Sequence, residues 1–158
     1  MGEHAEGPLG ALSHLGFTLR NATTVDAVAR AVLRDLRMLP GVSRVGLALS
    51  EGGGRRLRFL ASDAETWCHI DAYDDVPLTR VVRTAEPLFG GLDGFGDRFG
   101  GLIDRLRAEG TRSLAAFPLP GAATPVGALL LYFDRDQGFD PPQVRLLEAA
   151  ARRTAEAV

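Results

Sequence analysis

The stretch ETWCHIDAYDD, Glu65 to Asp75, gathers residue types that do chemistry. It holds the only cysteine and the only tryptophan of the chain, one of three histidines, and the carboxylates of Asp71, Asp74 and Asp75. Three chemistries are conceivable: a metal centre, a thiol nucleophile, or the lip of a ligand pocket. A metal centre needs several ligands at workable spacing. Cys68 and His69 are adjacent, so their side chains diverge in any extended segment, and His4 and His14 lie far back in the chain. A cysteine nucleophile needs a histidine base held by a third group, a geometry that a sequence neighbour rarely supplies. No catalytic and no metal-ligating residue is therefore assigned, and Cys68 reads as an unreactive, partly buried side chain. Trp67, His69 and Tyr73 alternate along the stretch. Large amphipathic rings suit a cleft because they offer apolar area with a polar edge. The alternative is that Trp67 and Tyr73 close the core beneath a long loop.

Two further segments imitate binding motifs. GGLDGFGDRFGG, Gly90 to Gly101, looks like a phosphate cradle. However, Gly94-Phe95-Gly96 lacks the next required glycine, and no Gly-Lys-Ser/Thr follows. It reads as a flexible lid, with Phe95 and Phe99 as the apolar groups presented to a cleft. Asp134 to Gly138 lacks the third oxygen ligand and the distal Glu of a calcium loop, so it reads as a turn.

The elements that must position these residues belong to a soluble chain of 158 residues, 46% hydrophobic and 24% charged. That length suits one domain with a single core. A net charge of -2 gives no reason to expect nucleic acid or an anionic membrane as partner. Every basic residue is Arg. One cysteine excludes an internal disulfide and suits a reducing cytoplasm. No apolar run approaches the roughly 18 residues of a membrane span, and MGEHAEGPLG lacks a signal-peptide layout. The last residues, ARRTAEAV, stop inside a helical pattern with no closing Gly, Asn or Pro. The chain is expected to be cut from something longer.

Residues 1–8 read as a disordered lead-in, and Leu9 to Arg20 as a helix with Leu12, Leu15 and Leu19 on one stripe. Thr23 and Asp26 fit a capping box for a helix carrying Val25, Val28, Val32 and Leu36. VSRVGLALS and RRLRFLAS alternate as strands joined by a glycine hairpin. Pro77 opens a short helix, Pro87-Leu88-Phe89 is a brief strand, and RFGGLIDRLRAEG is a helix. SLAAFPLP and VGALLLYFD are strands, and Asp140 caps a last helix with Pro141 at its first position. The order α-α-β-β-α-β-α-β-β-α, with hairpins at both ends, predicts an α+β fold with an antiparallel sheet.

That order, with YDDVPLTRVVRTAEPLF and the closing PVGALLLYFDRDQGFDPPQVRLLEAAARRTAEAV, resembles the GAF domain, a relative of the PAS fold. The first segment resembles the family's connecting helix and its "T-G-E-P" exit, with Ala85 in place of the Gly. The second resembles the family's last strand and capped helix. The resemblance implies a single domain over residues 9–158. Its sheet has five to six antiparallel strands, with the terminal helices on one face and short helices and loops on the other. It places a ligand cleft on the latter face, for which Trp67, His69, Tyr73, Phe89, Phe95, Phe99 and Phe117 are candidates. It implies a non-catalytic sensory domain of a cytoplasmic signalling protein that binds an unknown small molecule, requires no cofactor, and relays its state to an attached output domain. The wording resembles modules of actinobacterial serine/threonine phosphatases of the sporulation type and of sensor histidine kinases. The alternatives are a dimerisation scaffold whose cleft is filled by its own side chains, or the sensor domain of a histidine kinase or transcription regulator.

The enzymatic GAF family of free-methionine-sulfoxide reductases uses several cysteines that this chain does not carry, and bilin-binding members place their cysteine after the connecting helix rather than before it. The Asn-Lys-x-Asp/Glu signature of cyclic-nucleotide binders requires a lysine that is absent. The terminal helices of GAF proteins commonly pair with a second copy. The heptad-like spacing of Leu12, Leu15 and Leu19, and of Val144, Ala151 and Val158, predicts a homodimer along them.

Overall fold

A computed structural model of the chain describes Leu15, Leu19 and residues 22–158. Leu12, His4, His14 and the predicted lead-in over 1–8 lie outside the described residues. Helix α1 runs Val25–Leu36, and its N-cap is Thr24, whose hydroxyl accepts from the Ala27 N–H at 3.0 Å. The cap thus sits one residue later than predicted. The Asp26 carboxylate does not reach back to the helix end as a capping box would require. It faces the guanidinium of Arg30 and the indole of Trp67 instead.

Strands β1 (Val42–Glu51) and β2 (Arg56–Ala61) form the predicted hairpin across Gly52–Gly54. Gly53, at φ 70°, takes the left-handed turn that an L side chain resists. A strand follows that the sequence did not announce: β3, Cys68–Asp71, pairs with β2 at the sheet edge. Then come α2 (Pro77–Thr84), β4 (Leu88–Gly91), α3 (Leu102–Ala108), β5 (Ser113–Leu119), β6 (Gly127–Phe133) and α4 (Pro141–Ala157). Asp140 caps α4 by accepting from the Gln143 N–H, with Pro at the first turn, as predicted.

The strands form one six-stranded sheet in the order β3-β2-β1-β6-β5-β4, antiparallel throughout. Its centre is the β1–β6 pair. Gly127 is required there, because a Cβ would stand 2.0 Å from the Ala48 carbonyl oxygen.

Strand alternation divides the core in two. Val45, Leu47, Leu49, Phe117, Leu129, Leu131 and Phe133 face α1 and α4. Ala48, Leu57, Leu114, Ala116, Leu130 and Tyr132 face α2, α3 and the 90–101 segment. This is the predicted α+β arrangement, with long helices on one face and short ones on the other.

The predicted dimer seam is used differently. Leu15 and Leu19 are helical, yet Leu15 is 0% exposed and both join the core beneath α1 and α4. Ala151, on the predicted stripe, is 2% exposed in the same core. Among the described seam residues only Val144, half-buried, and Val158, exposed, keep an outward aspect. The last helix buries Leu147, Ala150, Ala151 and Thr154. Its sheet-facing stripe thus includes Ala151, which the sequence placed on the dimer seam.

Candidate functional site

The face on which each strand residue stands decides what can gather in a cleft. Trp67 packs against the α1/α4 core, and its indole Nε1–H donates to Asp26 Oδ1 at 3.0 Å. The Arg58 guanidinium lies 4.5 Å over its ring, and Arg30 Nη2 donates to the Glu65 carbonyl at 2.9 Å. Glu65 and Trp67 thus form a strap fastening the β2–β3 connection to α1. Arg30 and, secondarily, Trp67 hold the Asp26 carboxyl below its ordinary range. Phe89 stacks on Phe117 with ring centroids 5.9 Å apart and touches Phe139, again on the α1/α4 side.

Phe95 and Phe99 lie on the opposite face, but buried, tilted against each other at 6.0 Å with Arg98 over both rings. They fill the centre of that face together with Ile103 and Leu106, where an open cleft beneath a lid was expected. The predicted ring cluster therefore does not form. Trp67, Phe89 and Phe117 are on one face, Phe95, Phe99 and Tyr73 on the other. Cys68 is exposed on the edge strand rather than partly buried. Among the described residues no group of His, Cys, Asp and Glu gathers as a metal site would require.

A cavity of about 680 Å³ does open on the α2 face, towards the end of the sheet. The tip of the β1–β2 hairpin, the β3–α2 connection, one side of α2 and the β5–β6 turn build it. Leu57, Val82, Pro125 and Val126 give it apolar surface, and Ser50, Glu51, Tyr73, Thr79, Arg83 and Thr124 bring polar groups to it. Of the predicted cleft residues Tyr73 alone lines it, with its side chain largely exposed. His69 reaches it only indirectly, its Nε2 standing 2.9 Å from Glu51 Oε1.

The polar groups differ in how far they are committed. The Thr79 hydroxyl secures the start of α2: it accepts from the Val76 N–H and lies against the carbonyls of Asp74 and Val76. Glu51 Oε1 has Arg56 Nε at 3.0 Å as well as His69, at ion-pair distance but without hydrogen-bond alignment. Ser50 Oγ is shielded from solvent and meets no hydrogen-bond partner among the described residues. Arg83, exposed at the end of α2, makes no ion pair with any described carboxylate. Neither Ser50 nor Arg83 was singled out by sequence. Each looks like an ordinary surface residue of a strand end or a short helix until the hairpin tip and α2 are placed side by side.

A second cavity of about 420 Å³ lies on the other side, beneath the N-terminus of α4, lined by Leu39, Pro40, Phe133, Leu146 and Leu147 among others. It offers mainly apolar surface, and of its polar lining Arg135 donates to Gln137 and Asp140 accepts from the Gln143 N–H.

The sequence model described as "GAF domain" matches residues 22–158. No curated protein matches the chain. Solved structures share its fold at low identity. One is the GAF domain of a phosphoenolpyruvate-protein phosphotransferase from Acinetobacter, with TM-score 0.77 and 10% identity, covering 95% of this chain and 91% of that one. Another is residues 122 to 287 of a methyl-accepting chemotaxis protein, with TM-score 0.71 and 16% identity, covering 90% and 93%. A third is free methionine-R-sulfoxide reductase from Neisseria meningitidis in complex with its substrate, with TM-score 0.72 and 16% identity, covering 93% and 85%. This last likeness corrects the expectation that the chain is not an enzyme, because an enzyme is built on the same fold.

Proposed function

This chain belongs to the GAF-domain family, and on that premise we propose that it is the sensory module of a cytoplasmic signalling protein, binding a small molecule in the cleft between Tyr73 and Arg83. The observation that carries the reading is the cleft itself. Its volume of about 680 Å³ falls within the roughly 300–1,000 Å³ of small-molecule sites, and like them it sets a few polar groups around apolar surface.

Its place in the fold supports a relay. Strand β1 turns Ala48 towards the cleft side and Leu47 and Leu49 towards α1 and α4. A ligand that shifts the hairpin tip therefore shifts the surface on which the long helices rest. Such a relay works only as far as the ligand binds one arrangement better than the other. The output domain we propose is a metal-dependent serine/threonine phosphatase, supported by the wording of Tyr73–Val82. The homodimer we propose uses what α4 leaves outward, Val144 and Val158.

A fragment screen on the ¹⁵N-labelled chain tests the site. Hits should perturb the amides of Leu57, Val82 and Val126 saturably. Hits confined to Leu39, Phe133 and Leu146 would move the site to the other cavity, and the absence of any saturable hit would favour a scaffold whose faces are filled by its own side chains.

A further inference from the structure

The two edges of the sheet differ in how they are guarded. At β3 the edge carries His69 and Asp71, and the Asp71 carbonyl accepts the Asp74 N–H at 3.1 Å. Charges and turns of this kind keep a strand edge from meeting another strand. Strand β4 carries no charge along its length, and its Phe89 is 37% exposed. The Leu92 N–H donates to the Arg112 carbonyl at 3.0 Å, with Gly91 opposite Ser113. By alternation Leu88 and Gly90 turn their backbone groups to β5, while Phe89 and Gly91 turn theirs outward. The Pro87 carbonyl, the Phe89 N–H and carbonyl, and the Gly91 N–H thus line the open edge. None of them meets a hydrogen-bond partner among the described residues. Proline has no N–H to add, and the Gly91 carbonyl is engaged as the cap of the 3₁₀ turn Leu92–Phe95.

We propose that this edge pairs with β4 of a second copy, antiparallel about a two-fold axis at Phe89. The inference rests on the reading of the chain as a homodimer and adds a strand contact to the helix contact of Val144 and Val158. In that register each Phe89 N–H donates to the partner's Phe89 carbonyl, and each Gly91 N–H to the partner's Pro87 carbonyl. No outward group is left over. A two-fold at Gly90 would instead aim Phe89 N–H at the engaged Gly91 carbonyl and leave Pro87 unmatched. The side chains fit the same register. Leu88 stands opposite the partner's Gly90 and Pro87 opposite the partner's Gly91, where no Cβ opposes them. The two Phe89 rings form a cross-strand aromatic pair. Five paired residues span only about 16 Å, so the edge supplements a helix contact rather than replacing it. Helix α4 starts beside this edge, since Phe139 precedes its cap and touches Phe89.

Isotope-filtered NOE spectra of labelled and unlabelled whole chain mixed together test the register. They should show the Leu88 methyls of one copy against the Gly90 Hα of the other. Gly91→Pro tests the bonds. Gly91 already has φ -68°, the value proline imposes, and its outward N–H serves no described bond, so the melting temperature should not fall. By symmetry the dimer loses a hydrogen bond on each side, so sedimentation velocity should show association weakened about ten-fold or more. Phe89→Asp, which sets two carboxylates opposite each other, should weaken it likewise. A dimer unchanged by Gly91→Pro and Phe89→Asp, with intermolecular NOEs confined to Val144 and Val158, would overturn the edge pairing and leave the homodimer. A chain that stays monomeric at NMR concentrations would remove both.

Discussion

Asp26 accepts two donors on one carboxylate, Arg30 Nε at 2.8 Å and the Trp67 indole at 3.0 Å, so its proton competes with both. Its folded pKa is lowered from the ordinary 3.8, chiefly by Arg30 and then by Trp67. The stabilisation from ionised Asp26 is present above the unfolded value and is lost as pH falls through the lower, folded one. The Trp67 indole N–H resonance should therefore stay in place through ordinary carboxylate titration and move only with a midpoint below 3.8. Asp26→Asn should remove that transition. A midpoint at or above 3.8 would mean that the strap does not hold in solution. Trp67 thus reports on the α1 strap and not on the cleft, the opposite of what its place beside His69 and Tyr73 suggested.

At the scale of elements, the exit of α2 shows a residue under local strain. Ala85 closes the helix in the left-handed conformation at φ 59°, its N–H donating to the Val81 carbonyl at 2.9 Å. This is the position at which the sequence departs from the family's glycine. An L side chain there costs about 1 kcal/mol, part of which glycine gives back through its freer unfolded chain. Ala85→Gly should thus raise stability by about 0.5–1 kcal/mol in urea unfolding; a loss of stability would show that the Ala85 methyl is held by contacts worth more. Elements with strong periodicity or punctuation were legible in advance: the β1–β2 hairpin from its alternation and glycines, and α4 from Asp140-Pro141. Strand β3 was not. Cys68-His69-Ile70-Asp71 carries a single β-branched residue and owes its extension to pairing with β2 across a turn. The cleft was illegible for a related reason, because Ser50, Leu57, Arg83 and Val126 converge only through the sheet.

At the scale of the whole molecule, Leu15, Leu19 and α4 all contribute to the core. Leu15 is fully buried among α1, α4 and the sheet. Leu15→Ala should cost about 2–5 kcal/mol, a large share of the roughly 5–15 kcal/mol that stabilises a domain. Sedimentation velocity should show its association state unchanged, whereas a shift to monomer at unchanged stability would restore Leu15 to a dimer seam. The two faces of the sheet also divide the labour: α1 and α4 pack the larger core on one, while α2 and the hairpin tip border the larger of the two described cavities on the other. Sensing through that cleft is the central claim, and blocking it tests the claim most directly. Val82 is half-buried on α2 and lines the cleft, so Val82→Trp fills it at little cost to the core, whereas Trp67→Phe cuts the strap on the far face. Ligand titrations followed by ¹⁵N chemical shifts should lose saturable binding in Val82→Trp, folded by circular dichroism, and keep it in Trp67→Phe. Binding that persists in Val82→Trp and disappears in Trp67→Phe would contradict the account.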